Sequence, residues 1–206
     1  MDKAHYTYKD VRNLTDQDLN QQIFVRGRIH TIRTNGNFCF LLIRYQQYTL
    51  QVIAHKKTLG VDKYKTLKSY TCETVIDCYG TLNPSPIKIK TASYHDFELA
   101  LEDYELISLA RDLPFQIDDA IHAGEEDNNR SNVGLDTRLN SRWIDLRTPI
   151  NNSIFKIQSA ITQYFRQYLI QNKFTEIHSP KIIGVVTSSI NLIFPYIFCY
   201  ISLILN

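Results

Sequence analysis

The stretch from Gln22 to Ala54, QIFVRGRIHTIRTNGNFCFLLIRYQQYTLQVIA, decides the fold of the first half of the chain. Its first eleven residues alternate between an apolar or glycine face and a polar or aromatic face: Ile23, Val25, Gly27 and Ile29 against Phe24, Arg26, Arg28 and His30. This period of two is typical of a half-buried β-strand. Asn35-Gly36 is a turn signal. Two further strands are predicted at Phe38–Arg44 and Tyr48–Ala54, joined by a short polar connection.

The segments that follow complete a five-stranded pattern. GVDKYKTLKS, residues 60–69, has apolar residues at helical spacing and lysines on the other side, which predicts a short helix. Strands are predicted at Thr74–Leu82 and Phe97–Leu109, and the prolines between them indicate a loop. Three strands, a helix and two strands is the order of the five-stranded oligonucleotide-binding (OB-fold) barrel. The predicted fold class is therefore mainly β over residues 22–110, followed by an α+β segment.

Barrels of this type bind single-stranded nucleic acid on the face of their second and third strands. Phe38 and Phe40 lie on the second strand and offer aromatic planes for base stacking, while Gln51 on the third can donate to and accept from a base edge. Four arginines supply positive charge for phosphates: Arg26, Arg28, Arg33 and Arg44. The same residues are also compatible with a phenylalanine in the core and arginines that are only solvated. On composition alone, both interpretations stay open.

Overall composition sets wider limits. The net charge of +2 argues against a general polyanion binder but allows a local basic face. The four cysteines have no CxxC spacing, so neither a zinc site nor a disulfide scaffold is indicated. The polar start MDKAHYTYKD lacks the apolar core of a signal peptide, and a cytoplasmic location is expected. Every Lys, Arg, Asp and Glu lies within residues 1–181, so the composition changes near the C-terminus.

The regions around the barrel have their own patterns. Residues 1–21 are predicted to be an N-terminal extension, and residues 111–140 an exposed, partly flexible linker, because DDAIHAGEEDNNRSN is acidic and polar. A helix is predicted over Asn152–Gln171, capped by Asn151 or Asn152, with Asn172 as a left-handed residue near its end. FTEIH is then predicted to form a strand that Ser179-Pro180 ends.

Four segments, taken in order, resemble the N-terminal half of eukaryotic-type cytosolic aspartyl-tRNA synthetases, which are class II enzymes. They are FVRGRIHTIRTNGNFCFLLIRYQQYTLQVIA, FELALEDYELISLARDLPFQ, LDTRLNSRWIDLRTPINNSIFKIQSAI and FTEIHSPKIIG. The asparagine and lysine enzymes share this architecture, so the amino acid is the less determined part. The resemblance implies ATP-dependent attachment of aspartate to its tRNA. It also implies an anticodon-binding barrel at 22–110, a hinge at 111–140 and the start of a catalytic domain at 141–184.

The resemblance also implies functional residues. Phe40 matches the aromatic residue that stacks on an anticodon base, Gln51 the residue that reads a base edge, and Arg33 a cationic contact in the same cleft. Glu98 matches a carboxylate that reads the third anticodon base, and a carboxylate can accept from a cytosine amino group. The helix and strand after the hinge match motif one, whose proline, Pro180 here, lies at the dimer interface of the family. The implied partners are an aspartate tRNA and a second copy of the chain, with ATP and Mg²⁺ as cofactors of the full-length family.

Residues 185–206, VVTSSINLIFPYIFCYISLILN, depart from the family pattern, which has a Ser/Thr-Glu-Gly-Gly run here. Adenylate formation needs positive charge, backbone donors and Mg²⁺-binding carboxylates around ATP. We therefore expect no catalytic or metal-binding residue in this chain and no aminoacylation by the chain alone. The tail is long enough for a membrane anchor, but Pro195 interrupts it, and we favour a truncated product whose tail is not a selected structure.

Two functions follow from these observations. The first is a truncated member of the aspartate–tRNA ligase family that keeps anticodon binding. The alternative is a free-standing OB-fold RNA-binding module, with the apolar tail as a membrane tether. A free-standing module has no use for motif one, so residues 152–184 favour the first function.

Overall fold

The computed structural model of the chain describes residues 3–122 and 133–177, together with the backbone of a short strand at Ser202–Ile204. The chain forms two compact units, Met1–Arg147 and Thr148–Asn206. The first unit contains the predicted barrel, and the second contains the predicted long helix.

The first unit is built around a closed five-stranded barrel. The first unit has six strands in chain order: β1 (Thr7–Tyr8), β2 (Gln22–Asn35), β3 (Phe38–Tyr45), β4 (Tyr48–His55), β5 (Val75–Pro84) and β6 (Phe97–Ser108). β2 to β6 form the barrel: β2–β3, β3–β4 and β5–β6 pair antiparallel, β4–β6 pair parallel, and an antiparallel β2–β5 pairing closes the ring. Two helices, α1 (Lys56–Leu59) and α2 (Val61–Lys68), lie between β4 and β5. The predicted OB-fold order is confirmed.

The alternation in β2 sets its inner face. Ile23, Val25 and Ile29 are fully buried in the barrel core, as the period of two predicts. The predicted Asn35-Gly36 turn joins β2 to β3, and Gly36 has φ +58°, a conformation that glycine adopts at low cost. A Cβ on Gly80 would lie 2.0 Å from the carbonyl oxygen of Ala100, so a glycine is needed for β5 and β6 to pair this closely.

The N-terminal segment packs on the barrel. β1 pairs in parallel with the start of β2, and the Tyr6 hydroxyl donates to Glu102 at 2.7 Å. Lys9 forms an ion pair with the buried Asp18 at 2.6 Å, and the Tyr94 hydroxyl donates to the carbonyl of Val11. Residues 3–21, the described part of the predicted N-terminal extension, therefore pack on the barrel and complete the surface of the first unit.

The segment predicted as an exposed linker contains secondary structure of its own. It includes α3 (Ile117–Ile121) and α4 (Leu135–Asn140), and α5 (Arg142–Asp145) follows directly. A small apolar cluster buries side chains from this region: Phe115, Ile117, Ala120, Val133 and Ile144. The acidic and polar composition of residues 118–132 did not predict this cluster. Residues 123–132 lie outside the described part.

The second unit begins with a helix longer than predicted. α6 spans Pro149–Gln171, with Thr148 as its N-cap and proline at its first position. The cap predicted at Asn151 or Asn152 is therefore wrong. The helix can begin at Pro149 because a proline at the first helical position lacks only an N–H that the helix does not use. At the other end Lys173 has φ +65°, whereas Asn172 has φ −89°, so the left-handed residue is one position later than predicted.

β7 (Thr175–Ile177) follows α6, as predicted, and pairs antiparallel with β8 (Ser202–Ile204). Pro180 lies outside the described residues, and so does the apolar tail apart from the backbone of β8. No helix in the described part of the chain is long and apolar enough to span a membrane.

Candidate nucleic-acid interface

The outer face of β3 and β4 brings the four predicted site residues onto one side of the barrel. Arg33 on β2 lies directly across from Phe40 on β3, which in turn lies across from Ile53 on β4. On β4, Gln51 lies next to Val52, the partner of Leu99, so it is a neighbour of Glu98 on β6. Each site residue alternates with inward-facing residues, and this parity directs the four outward together.

Gln51 and Glu98 are directly bonded. The Gln51 side-chain amide donates from Nε2 to Glu98 Oε2 at 2.9 Å, and Ser85 Oγ lies 3.2 Å from the same oxygen. No described residue donates to Glu98 Oε1, which can therefore accept a hydrogen bond from a ligand. The Gln51–Glu98 hydrogen bond orders both side chains in the absence of a ligand, which reduces the conformational entropy they lose on binding.

The loop between β5 and β6 forms one wall beside Glu98. Ile89 and Ala92 of this loop bury Leu42, an outward residue of β3. Ser93 and Thr49 bind each other through two backbone–side-chain hydrogen bonds of 3.0 and 2.8 Å. The loop is thus fixed to the sheet at the end of the face that carries Gln51 and Glu98.

The aromatic residues of β3 face outward, not into the core. Phe40 is half-buried on the outer face, between the inward-facing Cys39 and Leu41. Phe38 is 45% exposed, and its ring centroid lies 6.4 Å from that of Phe40. Of the two interpretations left open by the sequence, a core position for these phenylalanines is wrong.

Three of the four predicted phosphate-binding arginines have intramolecular partners. Arg26 binds Asp77 through two hydrogen bonds of 2.7 and 2.8 Å, which raise the pKa of Arg26. Arg44 is buried and binds the carboxylate of Glu73, and Arg28 lies 3.8 Å from the same carboxylate. Arg33 alone of the four is exposed without an ion pair among the described residues. Of these four arginines, only Arg33 keeps a positive charge without an ion-pair partner among the described residues, and its binding of phosphate stays a prediction.

Glu73 is a buried residue that sequence reasoning missed. Its carboxylate also accepts from Arg147 at 2.6 Å, so three guanidinium groups converge on one negative charge. Burial and the neighbouring cations Arg147 and Arg44 lower the pKa of Arg28. The signal available was weak: Glu73 stands in a polar turn, and its partners come from positions 28, 44 and 147 of the chain.

Three exposed cations on this side of the barrel, Arg33, Lys56 and Lys57, have no ion pair among the described residues. Between Leu19 and Val61 the sequence has six Lys or Arg residues and no Asp or Glu. This segment supplies β2, β3, β4 and α1. Glu98, which comes from β6, thus lies next to a segment whose unpaired cations attract phosphate.

The described residues hold no group of three or more His, Cys, Asp or Glu side chains able to bind a metal ion. ATP and Mg²⁺, which the resemblance implies for the full-length family, stay predictions, and no reaction step is assigned to the part described here.

The geometry defines an OB-fold barrel followed by the first helix of another unit, and comparisons with known proteins identify the class. The family model of class II tRNA synthetases (D, K and N) matches residues 134–194. The cytoplasmic aspartate–tRNA ligase of Mus musculus is 40% identical over 179 residues, and that of Caenorhabditis elegans is 36% identical over 193 residues. The solved aspartyl tRNA synthetase from Entamoeba histolytica has a TM-score of 0.80 and 30% identity, and it covers 90% of this chain.

These similarities place the chain among the class II tRNA synthetases of the aspartate, lysine and asparagine group. Within that group, the chain belongs to the aspartate–tRNA ligase family. The match covers 84% of this chain for the mouse protein and 89% for the nematode protein. The chain spans 36% of the length of each of these curated relatives.

Proposed function

We propose that the barrel is the anticodon-binding domain of an aspartate–tRNA ligase and binds the anticodon loop of an aspartate tRNA. The observation that carries this proposal is the shared outer face of Phe40, Gln51, Glu98 and Arg33. An unpaired nucleotide is bound by stacking of its base, by hydrogen bonds to its base edge and by a cation at its phosphate. Phe40, the Gln51–Glu98 pair and Arg33 can provide these three contacts.

Each side chain has a separate role in the proposed complex. Phe40 stacks on an unpaired anticodon base. Gln51 and Glu98 read base edges, and the Glu98 carboxylate accepts from the amino group of a cytosine at the third anticodon position. Arg33 binds a backbone phosphate, which adds affinity without discriminating between sequences. The Gln51–Glu98 hydrogen bond supports this arrangement because it orients both groups toward the same base.

Family membership favours this function over a free-standing RNA-binding module. The family-model match begins beyond the barrel, at residue 134, and includes all of α6. A module that only bound RNA would need nothing after β6, so the continuation argues for a synthetase. We propose that the whole protein acts in the cytoplasm as an aspartate–tRNA ligase, as its relatives' names indicate for them. We also propose that it uses ATP and Mg²⁺ and that Pro180 belongs to a dimer interface.

The test is a titration of the full chain with two RNA hairpins, one carrying an aspartate anticodon loop and one carrying an unrelated anticodon. Phe40→Ala should weaken binding of the first hairpin by about 1–3 kcal/mol, the usual contribution of base–aromatic stacking. Phe155→Ala removes a half-exposed phenylalanine from α6 and serves as the control. Equal affinity of wild type and Phe40→Ala, or no preference between the hairpins, would contradict the proposal.

The contribution of Glu98 is measured with a third hairpin in which uridine replaces the third anticodon base. The wild type should bind it less tightly than the aspartate hairpin, because uridine has no amino group to donate. Glu98→Ala should bind the two hairpins equally. A variant that still discriminates between them would remove Glu98 from the proposed site.

A further inference from the structure

We propose that Phe38 and His55 form a second base-stacking position, which holds the unpaired nucleotide next to the one on Phe40. This position rests on the proposed function, because it extends the same RNA-binding face. Its ligand is a single-stranded RNA nucleotide of any base, since every base offers an aromatic plane.

The ring positions suit two successive bases. Phe38 and Phe40 are two residues apart on β3, so both point outward, and their ring centroids are 6.4 Å apart at an interplanar angle of 33°. A sheet surface with aromatic residues at such spacing stacks neighbouring bases of one strand in known RNA-binding modules. Phe38 keeps 45% of its surface exposed, so its ring has room for a base.

His55 completes the platform and is held in place. It lies on β4 directly opposite Phe38 on β3, and the two ring centroids are 4.7 Å apart. Its Nδ1 accepts the backbone N–H of Lys57 at 3.2 Å, which caps α1 and leaves Nε2 as the outward nitrogen. The backbone N–H of Lys56 donates to Asn37 in the β2–β3 turn, so the platform is anchored on both sides. The rings are therefore ordered before binding.

The charge around the platform favours RNA over other ligands. Lys56 and Lys57 follow His55 directly and are exposed. They belong to the acid-free segment between Leu19 and Val61, so a phosphate that links two stacked bases meets no carboxylate from β2, β3, β4 or α1.

The platform lies away from the base-reading groups. Gln51 is four residues before His55 on the same strand, a distance of about 13 Å along β4. A base on Phe38 is therefore beyond the reach of Gln51 and Glu98. It adds affinity without adding sequence preference, and this distinguishes the second position from the first.

The experiment uses the full chain and the aspartate anticodon hairpin, with one loop nucleotide at a time replaced by an abasic residue. Phe38→Ala should weaken binding of the intact hairpin by about 5- to 150-fold, the range that corresponds to one stacked base. For one loop position the abasic hairpin should bind wild type with a similar loss, and Phe38→Ala should add little to that loss. Tyr8→Ala, which removes a ring that is 49% exposed on β1, is the control and should bind normally.

Two further variants separate stacking from simple apolar contact. Phe38→Tyr keeps the aromatic plane and should retain most of the affinity, whereas Phe38→Leu keeps apolar volume and should lose it. Equal affinity of wild type and Phe38→Ala, or full retention by Phe38→Leu, would overturn the second position. If Phe40→Ala still weakens binding in that case, the proposed function stands without it. If neither Phe40→Ala nor Phe38→Ala changes binding, both proposals fail.

Discussion

The barrel and α6 are both rich in large apolar residues, but the barrel buries them and α6 exposes them. In the barrel, inward-facing residues such as Ile23 and Leu99 are 0% exposed. On α6, Ile161 is 64% exposed, although its spacing is that of a buried helix face. The exposed apolar residues of α6 recur at intervals of three and four: Ile150, Ile154, Phe155, Ile157, Ile161, Tyr164, Phe165 and Tyr168.

The difference in burial arises because the barrel sheet closes on itself, whereas α6 is a single helix. A barrel strand buries its inner face against other strands of the same ring, so the pattern and its partner come from one compact unit. A single helix has no such option and needs another element to cover its apolar stripe. An apolar period therefore predicts which face will be buried, but it does not tell what will bury it.

The largest expected loss of stability follows from changing Glu73, the carboxylate shared by Arg28, Arg44 and Arg147 in the first unit. Glu73→Gln keeps the shape of the side chain but leaves the buried Arg44 without its counter-charge, which should cost about 3–5 kcal/mol in the free energy of unfolding. Trp143 is the single tryptophan and lies in the first unit, so its fluorescence during urea unfolding provides the measurement.

The matched variant lies in the second unit. Glu176→Gln removes a pair with Arg166 in which both side chains are well exposed, and the cost should stay below about 1 kcal/mol. Similar losses for the two variants would mean that the arginines around Glu73 are stabilised by solvent and not by the carboxylate.

The next effect compares apolar burial in the two regions. Leu99→Ala removes a fully buried side chain from the barrel core and should cost about 2–5 kcal/mol. Ile161→Ala removes an exposed side chain and should change the stability of its helix by less than about 1 kcal/mol, because little buried surface is lost. Fluorescence follows the first variant, and helical circular dichroism follows the second. A loss at Ile161 as large as at Leu99 would show that the α6 face is covered in solution.

The smallest effect is a loss of stability in acid that is confined to the barrel. Burial would raise the pKa of the Asp103 carboxyl, but hydrogen bonds from Lys63 and the Tyr104 N–H together lower it. A lowered pKa means that the stabilisation is present above the ordinary aspartate value, near pH 4, and is lost as the pH falls through the folded-state value.

Asp103→Asn should therefore be less stable than wild type at neutral pH, and the two proteins should converge in acid. Asp112→Asn, at an exposed position, is the control and should follow wild type. Between Thr148 and Ile177 the sequence has one acidic residue, Glu176, so the signal of α6 should change less over the same range. A constant difference between Asp103→Asn and wild type at every pH would rule out titration of this carboxyl as the cause.

Much of the candidate site could be predicted because it depends on local parity. Phe40, Gln51 and Glu98 each alternate with apolar neighbours, and the period of two directs them outward once the strands are known. The charges could not be predicted in the same way. Nothing in the sequence near Arg26 and Arg28 shows that they form ion pairs, because their partners, Asp77 and Glu73, come from β5 and the turn before it.

The sequence by itself determined the strand order, the inner and outer faces of the barrel and the existence of a long amphipathic helix. These features follow from periods of two and of three to four, which any short window of the chain contains. The tertiary structure alone decided that Glu73 gathers Arg28, Arg44 and Arg147, that the N-terminal segment packs on the barrel, and that the Phe38 and His55 rings meet. The reason is physical: these contacts depend on strand register and on packing between separate segments of the chain, which no short window of the sequence contains.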